Sequence, residues 1–162
     1  MSNPTSYDLL RTSQLAAELS DDECRVLAGA VTVRDFGDGE VLVAEGGSDD
    51  HLYVIVSGAI AKSKHDPVGG KWLNLSVLTH GDFAGELGFM DGKAHYAALR
   101  AIGPTRALSL ERQALERLLV PHPQVVYKAM RAIFRVVHGI LHRMAAEQKE
   151  LTNYIFKQHG KY

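Results

Sequence analysis

Between Val31 and Leu110 the chain reads as a series of short β-rich runs, separated by glycine, aspartate and proline. The runs fall at 31–36, 40–44, 51–56, 59–64, 72–79, 95–101 and 105–110. Short strands with turn signals at this spacing are typical of a sandwich or jelly roll, because each turn sends the chain back across an antiparallel sheet. We therefore predict a mainly β fold, with a jelly-roll-like β-barrel (double-stranded β-helix) over residues 31–120.

Helical patterns flank this β-rich region on both sides. Apolar residues recur at helical spacing over residues 7–30, and Ser20 with Glu23 three residues later forms a capping box that marks a helix start. Residues 1–30 are therefore predicted to form an N-terminal helical segment with two short helices. A further short helix is expected over 111–120, where two prolines follow.

The segment 121–162 is predicted to be a hinge followed by a long helix. Its apolar residues alternate at spacings of four and three, which is the pattern of a coiled-coil seam. At 1.5 Å per residue the helix is about 50 Å long, more than a small barrel can cover, which favours a homodimer. The alternative, a helix that packs only on its own barrel, stays open. The central seam residues, predicted as the dimer helix, are Met130, Ile133, Val137, Ile140 and Met144. A second stripe suited to face the barrel comprises Val125, Ala129 and Val136.

Composition bounds the other classes of function. The net charge is −1, from 18 basic and 19 acidic residues, so no global basic excess points to nucleic acid. The basic residues of the long helix accompany no recognition element, and no direct nucleic-acid contact is expected. No apolar stretch approaches the length of a membrane span, and the polar N-terminus lacks a signal-peptide core. The expectation is a cytoplasmic protein that does not contact the membrane.

Catalytic and metal-binding signals are weak. The single cysteine, Cys24, excludes an internal disulfide and a four-thiolate metal site within one chain. No nucleophile triad, phosphate-binding Walker loop or zinc-protease motif is present. We therefore expect no enzymatic activity, no metal and no cofactor.

The run 81–98 gathers groups suited to a phosphate and a sugar. It reads as a loop, a short helix start and a return strand. Backbone N–H groups at a helix start favour an anion, and the carboxylate of Glu86 can accept a hydrogen bond from a hydroxyl. This local pattern predicts Gly85, Glu86 and Leu87 as ligand-binding residues.

Three motifs make the chain resemble the cyclic-nucleotide-binding domain family, of the catabolite-activator or Crp–Fnr effector type. They are a glycine-marked hairpin at 45–58, the phosphate-binding cassette within 81–98, and the final strands at 100–110. The resemblance implies that Glu86 accepts the ribose 2′-hydroxyl. It also adds His95, Tyr96 and Ala97 to the predicted ligand-binding residues. The family's phosphate-binding arginine falls on His95, so the cassette is divergent. Histidine lacks arginine's fixed fork and permanent charge, and Tyr96 is bulkier than the family's usual alanine or serine.

The resemblance implies a non-catalytic sensor that binds a cAMP-like cyclic nucleotide or related phosphate-bearing ligand and signals through its C-terminal helix. Expected partners are a second copy, a small-molecule ligand and an unknown protein. Two alternatives stay open. One is a degenerate domain that no longer binds nucleotide and acts as a dimeric interaction module. The other is the effector part of a transcription regulator that lacks its own DNA-binding domain.

Overall fold

The computed structural model describes residues 3–160, except for the side chain of His159; residues 1–2 and 161–162 of the predicted end segments lie outside this range. The N-terminal segment contains α1 (Ser6–Arg11), a 3-10 turn (Gln14–Ala16) and α2 (Asp21–Ala28). The predicted capping box begins α2: Ser20 Oγ accepts from the Glu23 amide at 3.2 Å, and the Glu23 carboxylate accepts from the Ser20 amide at 3.0 Å.

The central part of the chain is an antiparallel sheet of six strands. The order is β1-β6-β3-β4, with β2 pairing with β6 and β5 with β3. The mainly β, jelly-roll-like fold is confirmed, but hydrogen bonding does not close the sheet into the predicted barrel. The strands are β1 (Val31–Phe36), β2 (Val41–Val43), β3 (His51–His65), β4 (Trp72–Leu78), β5 (Phe83–Ala84) and β6 (Ala98–Glu111).

Two long strands replace four of the predicted short ones. The runs 51–56 and 59–64 join in β3, and most of 95–101 joins 105–110 in β6. Register shifts near Ser57 let both strands bend without ending. The prediction of separate strands was wrong here, because glycine and proline give the same local sequence signal at a bend within a strand as at a turn between strands. The β3–β6 ladder, from His51–Glu111 to Ser63–Ala98, is the centre of the fold.

Two groups of buried apolar side chains lie around this ladder. One lies where the helices pack on the sheet and contains Leu52, Leu108 and Phe89. The other contains Tyr53 and Ile60, on either side of the bend in β3. Leu52 and Tyr53 are neighbours in β3 but belong to different groups, because successive side chains of a strand point to opposite faces. One continuous ladder therefore supports both groups.

The helices α3 (Glu86–Asp91), α4 (Arg112–Glu116) and α5 (Pro123–His159) complete the fold. The predicted second stripe faces the chain's own core: Val125 and Ala129 are buried and Val136 is partly buried. Ile133, predicted for the dimer seam, is fully buried in the same core, which leaves it no surface for a partner. Periodicity identifies an apolar face but not the surface that covers it.

The C-terminal half of α5 leaves the core. Residues 141–158 are all exposed, among them Leu151 and Tyr154. Within residues 3–160, no helix combines the length and the hydropathy that crossing a membrane requires.

Candidate functional site

A cavity of about 760 Å³ opens between the sheet, α3 and α5. It is lined by β4, by the turn from β5 into α3, by the segment that enters β6 and by one side of α5. The structure brings all the predicted ligand-binding residues to its wall. These are Gly85, Glu86, Leu87, His95, Tyr96 and Ala97.

Gly85 determines how the chain enters α3. Its φ is +78°, in the left-handed region, and an added Cβ would lie 2.8 Å from the carbonyl oxygen of His51. Glycine is needed for both reasons. The next two residues start the helix, with Glu86 turned inward and Leu87 half exposed. The close approach of Gly85 to β3 therefore fixes the cassette against the sheet.

Glu86 is the buried acidic group of the cavity wall. It is 8% exposed, and its side chain makes no hydrogen bond or ion pair with any residue between 3 and 160. Its carboxylate oxygens are not among the fully buried polar atoms that lack a partner, so they keep accessible surface on the cavity side. The position and the unmet hydrogen-bonding capacity of Glu86 suit a ligand that donates a hydrogen bond.

His95 stands at the position of the family's arginine, and its ring is engaged by the protein backbone. Nε2 lies 3.0 Å from the carbonyl oxygen of Asp49. Since a carbonyl only accepts, Nε2 carries the hydrogen and donates. The ring edge also lies 2.5 Å from where a Cβ on Gly88 would be, so the imidazole packs closely on α3. The other ring nitrogen of His95, Nδ1, has no hydrogen bond within the described residues.

Asp49 connects His95 to a polar cluster on β3. Its Oδ1 is 2.6 Å from His51 Nδ1, and its Oδ2 accepts from the Tyr53 hydroxyl at 3.0 Å. Arg34 donates to the same hydroxyl at 3.1 Å. Burial, followed by the nearby negative charge of Asp49, raises the pKa of Tyr53 to about 12. Tyr53 therefore stays protonated and holds the loop that carries Asp49 against the sheet.

Sequence reasoning missed a cation on the cavity wall. Lys62 on β3 places its ammonium 4.6 Å from the ring centroid of Tyr96. It lines the cavity, as do Lys93 in the loop after α3 and Arg143 on α5. The alternation of side chains along β3 puts Lys62 on the same face as buried Ile60, and this pattern was the available signal.

The long helix contributes to the same cavity. Ile140 and Met144, predicted for the dimer seam, line it on the side opposite the cassette. Met130 and Val137, nearer the start of the helix, pack partly buried against the core. A ligand in the cavity would therefore touch both the cassette and α5. Within residues 3–160, no three metal-ligating side chains come together in a possible metal site.

Comparison with known proteins identifies the family of the chain. The family profile described as "Cyclic nucleotide-binding domain" matches residues 33–122, which is more than half of the chain. The chain belongs to the cyclic nucleotide-binding domain family. The match includes strands β2 to β6, most of β1 and every residue of the predicted cassette.

Among curated relatives, the chain is 31% identical over 106 residues to a cAMP-dependent protein kinase regulatory subunit of Dictyostelium discoideum. It is also 31% identical over 101 residues to a CRP-like cAMP-activated global transcriptional regulator of Mycobacterium tuberculosis. These matches cover 64% and 62% of this chain, but 32% and 45% of the relatives. The chain thus spans less than half the length of either relative.

Solved structures show the same fold. A cyclic nucleotide-binding domain from Methylobacillus flagellatus aligns with a TM-score of 0.75 and 23% identity, covering 83% of this chain and 77% of that one. The N-terminal domain of a transcriptional regulator from Streptomyces coelicolor aligns at 0.70 and 27%, covering 85% and 95%. The catabolite activator protein of Thermus thermophilus aligns at 0.67 and 23%, covering 89% and 64%.

Proposed function

We propose that this chain is a non-catalytic sensor that binds a cyclic nucleotide, or a related phosphate-bearing ligand, in the cavity between the cassette and α5. The observation that carries the proposal is the side chain of Glu86, buried on the cavity wall without a protein partner. A ribose hydroxyl donates the hydrogen bond that this carboxylate can accept. The family membership and the two curated relatives named for cAMP support a cyclic nucleotide as the ligand.

The signal leaves the cavity through α5. Ligand that contacts Glu86 on one side and Ile140 or Arg143 on the other binds best when these walls are close together. Binding then shifts the population toward that arrangement, and the exposed C-terminal half of the helix moves with it. The output is a change in what this half of α5 presents to a partner.

The first experiment compares cAMP with 2′-deoxy-cAMP by titration calorimetry. If Glu86 accepts the 2′-hydroxyl, the wild type should bind cAMP at least about tenfold more tightly than 2′-deoxy-cAMP, because a hydrogen bond to a charged group contributes roughly 1.5–3 kcal/mol. The Glu86→Ala variant should bind cAMP more weakly than the wild type does, and it should bind cAMP and 2′-deoxy-cAMP with equal affinity. Asp91→Asn, at another acidic residue of the cavity wall, is the control and should keep the preference.

If the wild type binds cAMP and 2′-deoxy-cAMP with equal affinity, the proposed role of Glu86 is contradicted. Absence of binding by cAMP, cGMP and cyclic dinucleotides at millimolar concentration would remove the proposed ligand class.

A second candidate, an interaction module without nucleotide, is favoured by His95. Its Nε2 already donates to Asp49, so the residue at the arginine position is occupied by the chain itself. In this case the exposed apolar residues of α5 would bind another protein irrespective of nucleotide. The same calorimetry separates the two candidates, because the module gives no heat with any cyclic nucleotide.

A further inference from the structure

The cavity has an acidic group for a sugar but lacks the family's arginine, so a phosphate there needs another cation. His95 cannot present arginine's two-donor fork, because its Nε2 is used by Asp49 and its ring packs on Gly88. A phosphate held by backbone amides alone would lack a charged side-chain partner. The cation must therefore come from elsewhere on the cavity wall.

Besides His95, three basic side chains line the cavity, and they differ in how they are held. Lys93 is exposed in the loop after α3, and Arg143 is exposed on α5. Lys62 is half-buried in the C-terminal part of β3, where its backbone pairs with Ser76 of β4 on one side and Leu99 of β6 on the other. Of the three, Lys62 therefore has the most rigid base.

The ammonium of Lys62 is directed to the cassette by an aromatic ring. It lies 4.6 Å from the ring centroid of Tyr96, the residue directly after His95. A cation over an aromatic face is attracted by the ring's electron density. The ammonium makes no hydrogen bond or ion pair within residues 3–160, so all three of its donors can bind an anion.

We propose that Lys62 supplies the phosphate-binding cation of this cavity in place of the missing arginine, with Tyr96 as the residue that positions it. The proposal rests on the proposed function and adds the group that neutralises the phosphodiester charge of the ligand. Lysine binds phosphate as a point charge without arginine's bidentate geometry. Tyr96, which looks like an obstruction from the sequence, becomes part of the site.

The test measures the Kd of cAMP for the full chain by calorimetry at low and high sodium chloride. Lys62→Met keeps the aliphatic stem and removes the charge, and should weaken binding about tenfold or more. It should also reduce the salt dependence of Kd, since an ionic contact is screened by salt. Lys62→Arg should restore most of the affinity. Lys64→Met is the matched control, because Lys64 is an exposed lysine of the same strand that does not line the cavity, and this variant should stay within about twofold of wild type.

Tyr96 is tested by a pair of variants. Tyr96→Phe keeps the ring face and should bind cAMP like the wild type, whereas Tyr96→Leu should show part of the Lys62→Met defect. Thermal unfolding without ligand checks that each variant is folded. If Lys62→Met does not fold, Lys62→Gln, with a polar uncharged head, takes its place.

Each outcome decides the proposal. The role of Lys62 is overturned if the wild type binds cAMP and Lys62→Met binds it equally well. It is also overturned if Lys62→Met loses affinity but keeps the salt dependence of the wild type. Both results leave the proposed function standing. Wild type that binds no cyclic nucleotide overturns both. Weaker binding with a reduced salt dependence, rescued by Lys62→Arg, supports both.

Discussion

Gly58 is the residue on which the bend of the central ladder depends. Its φ is +80°, and an added Cβ would lie 2.5 Å from the carbonyl oxygen of Pro104 and 2.6 Å from Thr105 Oγ1. Thr105 is buried and donates to the carbonyl of Ala59 at 3.0 Å, which fixes the backbone on both strands at this point. The neighbouring backbone thus has little room to move away from a side chain at Gly58.

Gly58→Ala is therefore expected to destabilise the fold by more than the cost of backbone conformation, which is about 1–2 kcal/mol for a left-handed residue. Gly103→Ala is the matched control, because Gly103 also has a positive φ, +67°, but no atom within 4 Å of the added Cβ. Urea unfolding measures the loss of free energy of unfolding in both variants, and the difference between the two losses is the steric contribution at Gly58. Equal losses of free energy of unfolding would show that the strands move apart freely at Gly58.

At the scale of elements, ion pairs join the first half of α5 to the N-terminal helical segment. Lys128 Nζ lies 2.7 Å from Glu23 Oε1, and Glu18 pairs with Arg131 at 3.2 Å and Arg135 at 2.8 Å. Glu23 also caps α2 through Ser20. These contacts surround the buried stripe of α5, so the helix start moves with the N-terminal segment as one unit.

The Glu23–Lys128 pair makes this docking sensitive to acid. The hydrogen bond from Lys128, followed by that from the Ser20 amide, lowers the pKa of Glu23 from its usual 4.5 to about 2. Because the folded state lowers the pKa, the stabilisation is present above pH 4.5 and is lost as the pH falls toward 2. Lys128→Met should therefore lower the unfolding midpoint near neutral pH and lose less stability than the wild type between pH 4.5 and 2.

Thermal unfolding followed by circular dichroism over pH 6 to 2 measures this difference. Lys149→Met is the control on the same helix, because Lys149 has no ion pair within the described residues. Its curve should run parallel to that of the wild type. A parallel curve for Lys128→Met as well would mean that the pair does not contribute to the acid response.

At the scale of the whole molecule, the outstanding feature is the exposed C-terminal half of α5. Leu151 and Tyr154 continue the predicted seam, and both are 61% exposed. Since Ile133 is buried in the core, a surface for a second copy would start further along the helix, around Met144. Exposed apolar side chains on a helix that leaves the body are typical of a coiled-coil partner surface.

We expect the wild type to form a dimer through this surface, with about twice the chain mass of 17.8 kDa in light scattering. Leu151→Glu places a charge in the seam and should shift the protein to monomer. Phe156→Glu is the control, because Phe156 is 72% exposed but lies off the seam, and this variant should stay dimeric. A monomeric wild type at every concentration would limit α5 to contacts with its own chain or another protein.

The sequence by itself determined what depends on neighbours along the chain. Turn residues between short β-rich runs specified a mainly β fold with helical ends, and the capping box at Ser20 located α2. The contiguous run of Gly85, Glu86 and Leu87 located the cassette for the same reason, since its residues act within one turn of the chain.

Only the tertiary structure decided what depends on residues far apart. Gly58 and Thr105 lie in different strands, so their contact, and the merging of four short strands into two, cannot be seen in either run alone. Lys62 meets Tyr96 through strand pairing, and His95 meets Asp49 across 46 residues. Ile133 belongs to the core because α5 packs on its own chain there. Periodicity states that a face is apolar, and only packing decides what covers it.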